Sequence, residues 1–153
     1  DLQALISDSS RMIDLINDLD KLVATQPSLL LGKWLKDAEN MGRNKNEKLY
    51  FRKDARNIIT TWGGEGQSLN DYANRSWSGL LTDFYGVRWK MFLHRVITAV
   101  KANVPFDENA FDEEVKAFEW QWVQKDKNFP DELSGDAVKI SKQLYKKYKD
   151  VIQ

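Results

Sequence analysis

The densest chemistry in the chain lies in one stretch, Trp62-Gly-Gly-Glu-Gly-Gln-Ser-Leu-Asn-Asp-Tyr-Ala-Asn-Arg-Ser-Trp-Ser-Gly-Leu-Leu, running on to Tyr85-Gly-Val-Arg-Trp89. It holds Trp62, Trp77 and Trp89, with Tyr72, Tyr85 and a glycine turn. Rings beside Glu65, Asp71 and Asn74, displayed from a turn, suit a carbohydrate-facing surface. Sugars offer apolar C–H faces for stacking and hydroxyls for hydrogen bonding, and amphipathic rings serve both needs.

Glu65 stands between Gly64 and Gly66, so its carboxylate projects from a turn. Glycosidases commonly use two carboxylates about 5–10 Å apart. The nearest other acids in sequence are Asp71 and Asp83. Along one helix Asp83 would lie about 18 Å away, and Asp71 near a helix start complements the helix dipole. No catalytic pair is therefore expected in this chain. The residues expected to meet a sugar are Trp62 and Tyr72, with Glu65 and Asn74 as polar partners. Each has a structural alternative. Trp62 ends an apolar stripe and Tyr72 tolerates half-burial, so core and site readings balance for both. Asn74 either hydrogen-bonds a ligand or ties the glycine loop to the next helix.

The other aromatic residues read as framework. Trp34, Trp89 and Trp122 fall on apolar stripes and are expected in the core, as is Trp77, whereas Trp120 lies off its stripe and covers a neighbour. The one histidine, His94, is expected on a helix surface or boundary. With no cysteine and no second histidine, no metal site is expected, and no cofactor. Gly63 to Gly66 lacks the Lys-Ser/Thr ending of a phosphate loop and follows a helix rather than a strand. Asn74-Arg75-Ser76 matches a glycosylation sequon, but lies inside a helix expected to pack, which makes it a coincidence.

Lys+Arg and Asp+Glu both number 23 among 153 residues, for a formal net charge of zero. That balance argues against a nucleic-acid partner, which needs a basic footprint, and against a polybasic membrane anchor. No apolar run approaches the roughly 18 residues of a membrane span. A hydrophobic share of 42% is that of a globular domain. The first residues already lie within an amphipathic pattern, so the chain is expected to be a fragment of a longer protein.

Periodicity supplies the elements that must carry these residues. Leu2, Leu5, Ile6, Met12, Ile13, Ile16, Leu19 and Val23 form one helical stripe, and the acids Asp8, Asp14, Asp18 and Asp20 read as its solvated face. Ser28 is the expected cap of a second helix through Leu31, Trp34, Leu35 and Ala38, closed by Gly42. A third runs through Phe51, Ala55, Ile58, Ile59 and Trp62, capped near Asn44 to Asn46. Gly63-Gly64-Glu65-Gly66 should end it by taking the left-handed conformation. A fourth is expected through Leu69, Tyr72, Ala73, Ser76, Trp77, Leu80 and Phe84. A fifth follows a bend at Gly86, a sixth starts at Asp107, and a last one starts near Ser134. Strict alternation persists nowhere. The expected fold is all-α, an irregular bundle of about seven helices in a single domain spanning 1–153.

The series Arg56-Asn-Ile-Ile-Thr-Thr-Trp62-Gly, Glu65-Gly66, Asp71-Tyr72-Ala73-Asn74, Trp77-Ser-Gly79-Leu80, Phe84-Tyr85 and Arg88-Trp89 resembles the C-terminal helical domain of the family 89 glycoside hydrolases, the α-N-acetylglucosaminidases. The match is strongest from Arg56 to Pro105. The resemblance implies a retaining enzyme that removes terminal α-linked N-acetylglucosamine from glycans. Its two working glutamates belong to a barrel domain that precedes the helical one in the same polypeptide. That barrel is absent from this sequence, so the chain alone should be inert, with the barrel and the glycan as its partners. Trp62 and Tyr72 match the family's aromatic positions and would help to wall the sugar pocket. An extracytoplasmic location, whether secreted, periplasmic or lysosomal, follows from the resemblance alone. The sequence departs from the family at Gly64, where proline is common, and in a loop before Asp71 that is one residue longer. Two other readings of the residues remain, a stand-alone carbohydrate-binding module and a structural docking domain.

Overall fold

The computed structural model describes residues 1–66 and 73–151. Among them are six α-helices: α1 (Leu2–Val23), α2 (Leu31–Glu39), α3 (Lys45–Ile59), α4 (Gly86–Ala102), α5 (Glu108–Gln124) and α6 (Ala137–Tyr148). A 3-10 turn, Pro27–Leu29, precedes α2, and a π-helical turn, Leu81–Tyr85, runs directly into α4. The fold is all-α, with six helices among the described residues in place of about seven.

Local chemistry sets most helix starts. The Asn44 side chain accepts from the Asn46 and Glu47 amides, both at 3.0 Å, while Glu47 reaches back to the Arg43 amide at 2.7 Å. Asp107 accepts from the Ala110 amide (3.0 Å), and Asp136 from that of Lys139 (2.8 Å). These bonds satisfy amides that a helix leaves unpaired in its first turn. Asn103, at φ 53°, closes α4 in the left-handed conformation ahead of Pro105.

The core gathers Leu31 and Leu35 of α2, Ala55 and Ile59 of α3, Leu80 and Phe84 around the π turn, and Trp122 and Val123 of α5. The Phe84 ring meets those of Trp122 at 5.0 Å and Phe118 at 5.9 Å. Trp122 also donates its indole N–H to Asp83 (2.8 Å). Trp34, expected in this core, lies at its edge. Its indole N–H donates to the Ala55 carbonyl, its ring packs on Trp77, and much of it stays exposed.

The expected fourth helix is the main correction. Leu69 and Tyr72 lie outside the described residues, but Asn74 to Trp77 carry no helix. Ser78 instead pairs with the backbone before α2: its amide donates to the Leu29 carbonyl (2.8 Å), and its carbonyl accepts from the Leu31 amide (3.1 Å). That pairing and Gly79 at φ 86° keep the chain out of a helix until Leu80, so that tertiary contacts override periodicity. The same pairing explains why Ser28, in the 3-10 turn, does not cap α2.

Two acids of α1, Asp18 and Asp20, also depart from the solvated face expected of them. Asp18 is buried and accepts from Lys147 (2.6 Å), Tyr148 (2.9 Å) and Lys21 (3.3 Å), latching α6 onto α1. Burial pushes its carboxyl up, but the three donors together outweigh this and hold it below the ordinary value of 3.8. The same bond raises Lys147 to about 12. A depressed carboxylate contributes stability above its unfolded pKa and loses it as pH falls through the folded one. Amide exchange in α6 is therefore expected to accelerate selectively below about pH 4. In Asp18→Asn, α6 should exchange fast at every pH. An α6 protected equally at pH 3 and pH 6 would contradict the latch.

Candidate functional site

The turn after α3 displays two of the expected sugar contacts. Asn57 organises it. Its carbonyl accepts from the amides of Thr60 (3.1 Å) and Trp62 (2.8 Å), and its side-chain oxygen from the Thr61 hydroxyl and the Gly63 amide. This places Trp62 at φ 51°. The left-handed residue that ends the turn of α3 is thus the tryptophan itself, not Gly63 or Gly64; among the glycines of the turn only Gly66 joins it, at φ 71°. A residue with a Cβ gives up about 1–2 kcal/mol in that conformation. The Trp62 side chain is nevertheless 45% exposed, and Glu65 is exposed beside it. Tyr72 lies outside the described residues, as do Ser68, Leu69, Asn70 and Asp71.

Asn74 helps to line a cleft of about 400 Å³ with Tyr85, Arg88, Trp89, Phe92, Phe111 and Val115. Its backbone is left-handed too, at φ 40°. The cleft floor is aromatic by construction. Trp89 and Phe92, three apart, share one face of α4, and their rings meet edge to face at 5.8 Å. Phe92 then meets Phe106 and Phe111, each at 5.6 Å. Trp89 was expected in the core; it is 43% exposed because its face of α4 borders this cleft.

Tyr85 reaches the cleft from the π turn, an arrangement frequent at functional sites because it re-aims the residues that follow. Arg88 is held from two sides. Its guanidinium lies 5.5 Å from the Phe84 ring and 5.9 Å from that of Tyr85, and its Nε pairs with buried Glu119 at 3.2 Å. An amide, a guanidinium and several rings around a concavity can bind and orient a polar ligand with apolar faces. None of the described lining residues is an aspartate, a glutamate or a histidine. Among the described residues, no three of histidine, cysteine, aspartate or glutamate come together to hold a metal.

Of the four expected contacts, Asn74 enters the cleft, Trp62 and Glu65 stand on the turn after α3, and Tyr72 falls outside the described residues. The sequence reading passed over Tyr85, Arg88, Phe92 and Phe111 as site residues. Their signal was the string Tyr85-Gly86-Val87-Arg88-Trp89, where large rings and a cation crowd successive positions of one helix. The sequon Asn74-Arg75-Ser76 is also differently placed than expected: it is exposed and outside any helix.

A family model for the C-terminal domain of α-N-acetylglucosaminidase matches residues 1–147. Human α-N-acetylglucosaminidase is 33% identical over 135 residues, which cover 88% of this chain and 18% of that protein. A family 89 glycoside hydrolase from Clostridium perfringens, solved with 2-acetamido-1,2-dideoxynojirmycin, superposes with a TM-score of 0.78 at 32% identity, over 92% of this chain and 17% of that one. A doubly substituted form of the Clostridium enzyme, solved with its substrate GlcNAc-α-1,4-galactose, matches at 30% identity and a TM-score of 0.77, over 95% of this chain and 18% of that one. The chain thus spans less than a fifth of the length of these relatives.

Proposed function

We propose, from the premise that this chain belongs to the α-N-acetylglucosaminidase C-terminal domain family, that it forms one wall of the sugar pocket of a retaining glycoside hydrolase. The helical bundle, a single domain, packs against a catalytic barrel of the same polypeptide. That barrel contributes the nucleophile and the acid/base, and the substrate is a glycan ending in α-linked N-acetylglucosamine. Trp62 and Tyr72 present their rings to the sugar. Glu65 and Asn74 offer hydrogen bonds, and the cleft of Tyr85, Arg88 and Trp89 borders the same wall. The protein works outside the cytoplasm. Among the described residues no helix is long and apolar enough to cross a membrane.

The observation that carries this reading is Trp62: a large ring, nearly half exposed, on a residue held in a conformation that glycine would adopt more cheaply. Glycines stand directly after it, yet the strain is borne by the tryptophan. Such strain persists where the surrounding structure enforces it, and it clusters at ligand sites. Excluding water and orienting the sugar are contributions a wall can make without an acid of its own.

The full-length protein is expected to hydrolyse p-nitrophenyl N-acetyl-α-glucosaminide, and proton NMR should record the α-anomer of N-acetylglucosamine as first product. The chain of 153 residues alone should release no nitrophenol. Turnover by the isolated chain, or first release of the β-anomer by the full-length protein, would contradict the proposal.

A further inference from the structure

We infer that Asp20 is a positioning residue for the sugar site, acting through the segment Ser78 to Thr82; the inference rests on the pocket-wall reading above. One carboxylate oxygen of Asp20 accepts from the Ser78 hydroxyl (3.0 Å). The other accepts from the Gly79 amide (2.8 Å), the Thr82 amide (3.2 Å) and the Thr82 hydroxyl (3.1 Å). The π turn has no cap from its own side chains, so Asp20 supplies one from another helix. An anion at that end complements the dipole of the helix that begins there.

The location of Asp20 on its own helix strengthens the case. It lies in the last turn of α1, where a carboxylate faces the negative end of the helix dipole and is disfavoured. The residue is unfavourable for the element that carries it and favourable for the element it touches. Its two sets of partners lead to the two sides of the cleft. Ser78 and Gly79 end the non-helical segment that carries Asn74. Thr82 lies in the first part of the turn that carries Tyr85 and leads to Arg88 and Trp89. A single carboxylate thereby fixes the spacing of Asn74 against the aromatic wall.

Asp18, two residues earlier, is the internal control. It makes three side-chain hydrogen bonds, but all go to its own helix or to α6. Removing either carboxylate should destabilise the bundle, and removing Asp20 alone should disturb sugar binding.

The test uses the full-length protein and p-nitrophenyl N-acetyl-α-glucosaminide, with kcat and KM measured beside the melting temperature. Asp20→Asn is expected to raise KM about tenfold with kcat within about twofold, because the barrel's reacting groups are untouched and binding common to ground and transition states is lost. Asp18→Asn should lower the melting temperature and leave KM unchanged. A merely structural role for Asp20 would reduce the active fraction, lowering kcat at constant KM, and that result overturns the inference. Should Asp20→Asn fail to fold, Thr82→Val removes one of the four bonds and keeps the Thr82 amide; an unchanged KM there overturns it equally. A parent enzyme with no turnover of this substrate would instead overturn the pocket-wall reading.

Discussion

Trp62→Ala in the full-length protein is expected to lower kcat/KM toward terminal α-N-acetylglucosaminides by on the order of 100-fold, a loss of about 2.7 kcal/mol of transition-state binding. The folded domain should survive the change. Trp62 lies beyond the end of α3, its ring is 45% exposed, and it is not among the residues that form the buried core. A companion variant separates the roles of ring and backbone. Trp62→Gly removes the same ring but relieves the left-handed strain at φ 51°. It should lose as much activity as Trp62→Ala while melting at or above the temperature of the alanine variant. If kcat/KM falls only in proportion to lost folded protein, Trp62 is a packing residue and contributes nothing to the sugar.

Gly32→Ala is expected to destabilise the bundle by about 3 kcal/mol or more. The usual rule points the other way, since alanine improves on glycine inside a helix by about 1 kcal/mol. Here a Cβ would stand 2.2 Å from the Pro130 carbonyl oxygen and 2.3 Å from that of Phe129. Both obstacles are backbone, and the segment that carries them is held on several sides. Arg52 donates to the Lys127 carbonyl (2.8 Å) and to Asn128 (2.7 Å). Arg56 donates to the Val123 carbonyl at 3.0 Å, Lys127 pairs with Asp83, and Lys36 with Asp131. The segment has little freedom to withdraw. A fall in the melting temperature of this domain on the order of 10 °C is expected by differential scanning calorimetry. An unchanged or raised melting temperature would show that residues 129–130 yield without cost.

The helices that sequence alone revealed are those whose ends are local. Asn44 and Asp107 cap α3 and α5 through their own neighbours, and Leu31 and Leu35 of the α2 stripe bury where their spacing indicates. What escaped notice depends on distant partners. Asp18 and Asp20 differ by two positions, yet one latches α6 and the other caps the turn before α4; nothing in their spacing distinguishes those tasks. The stripe through Ala73 and Trp77 has helical period, but the Ser78 backbone is claimed by Leu29 and Leu31. Glycine placement misled for a similar reason: Asn57 draws the chain back at Trp62, so the left-handed turn comes before Gly63.

The site divides along the same line. Trp62, Glu65 and Asn74 stood out as candidates because a turn rich in polar and aromatic residues has few structural uses. Trp89, Phe92 and Phe111 were not, because a ring on an apolar stripe looks alike whether it meets the core or a cleft. Only the packing of α4 against α5 reveals that these rings border open space.

The most direct measurement is a crystal structure of the full-length protein with bound 2-acetamido-1,2-dideoxynojirimycin. The Trp62 ring is expected within about 4 Å of the inhibitor, the distance of apolar contact, with the barrel's two glutamates on the other side of it. An inhibitor enclosed by barrel residues alone, with Trp62 facing solvent or packed elsewhere, would contradict the role of this bundle as a wall of the pocket.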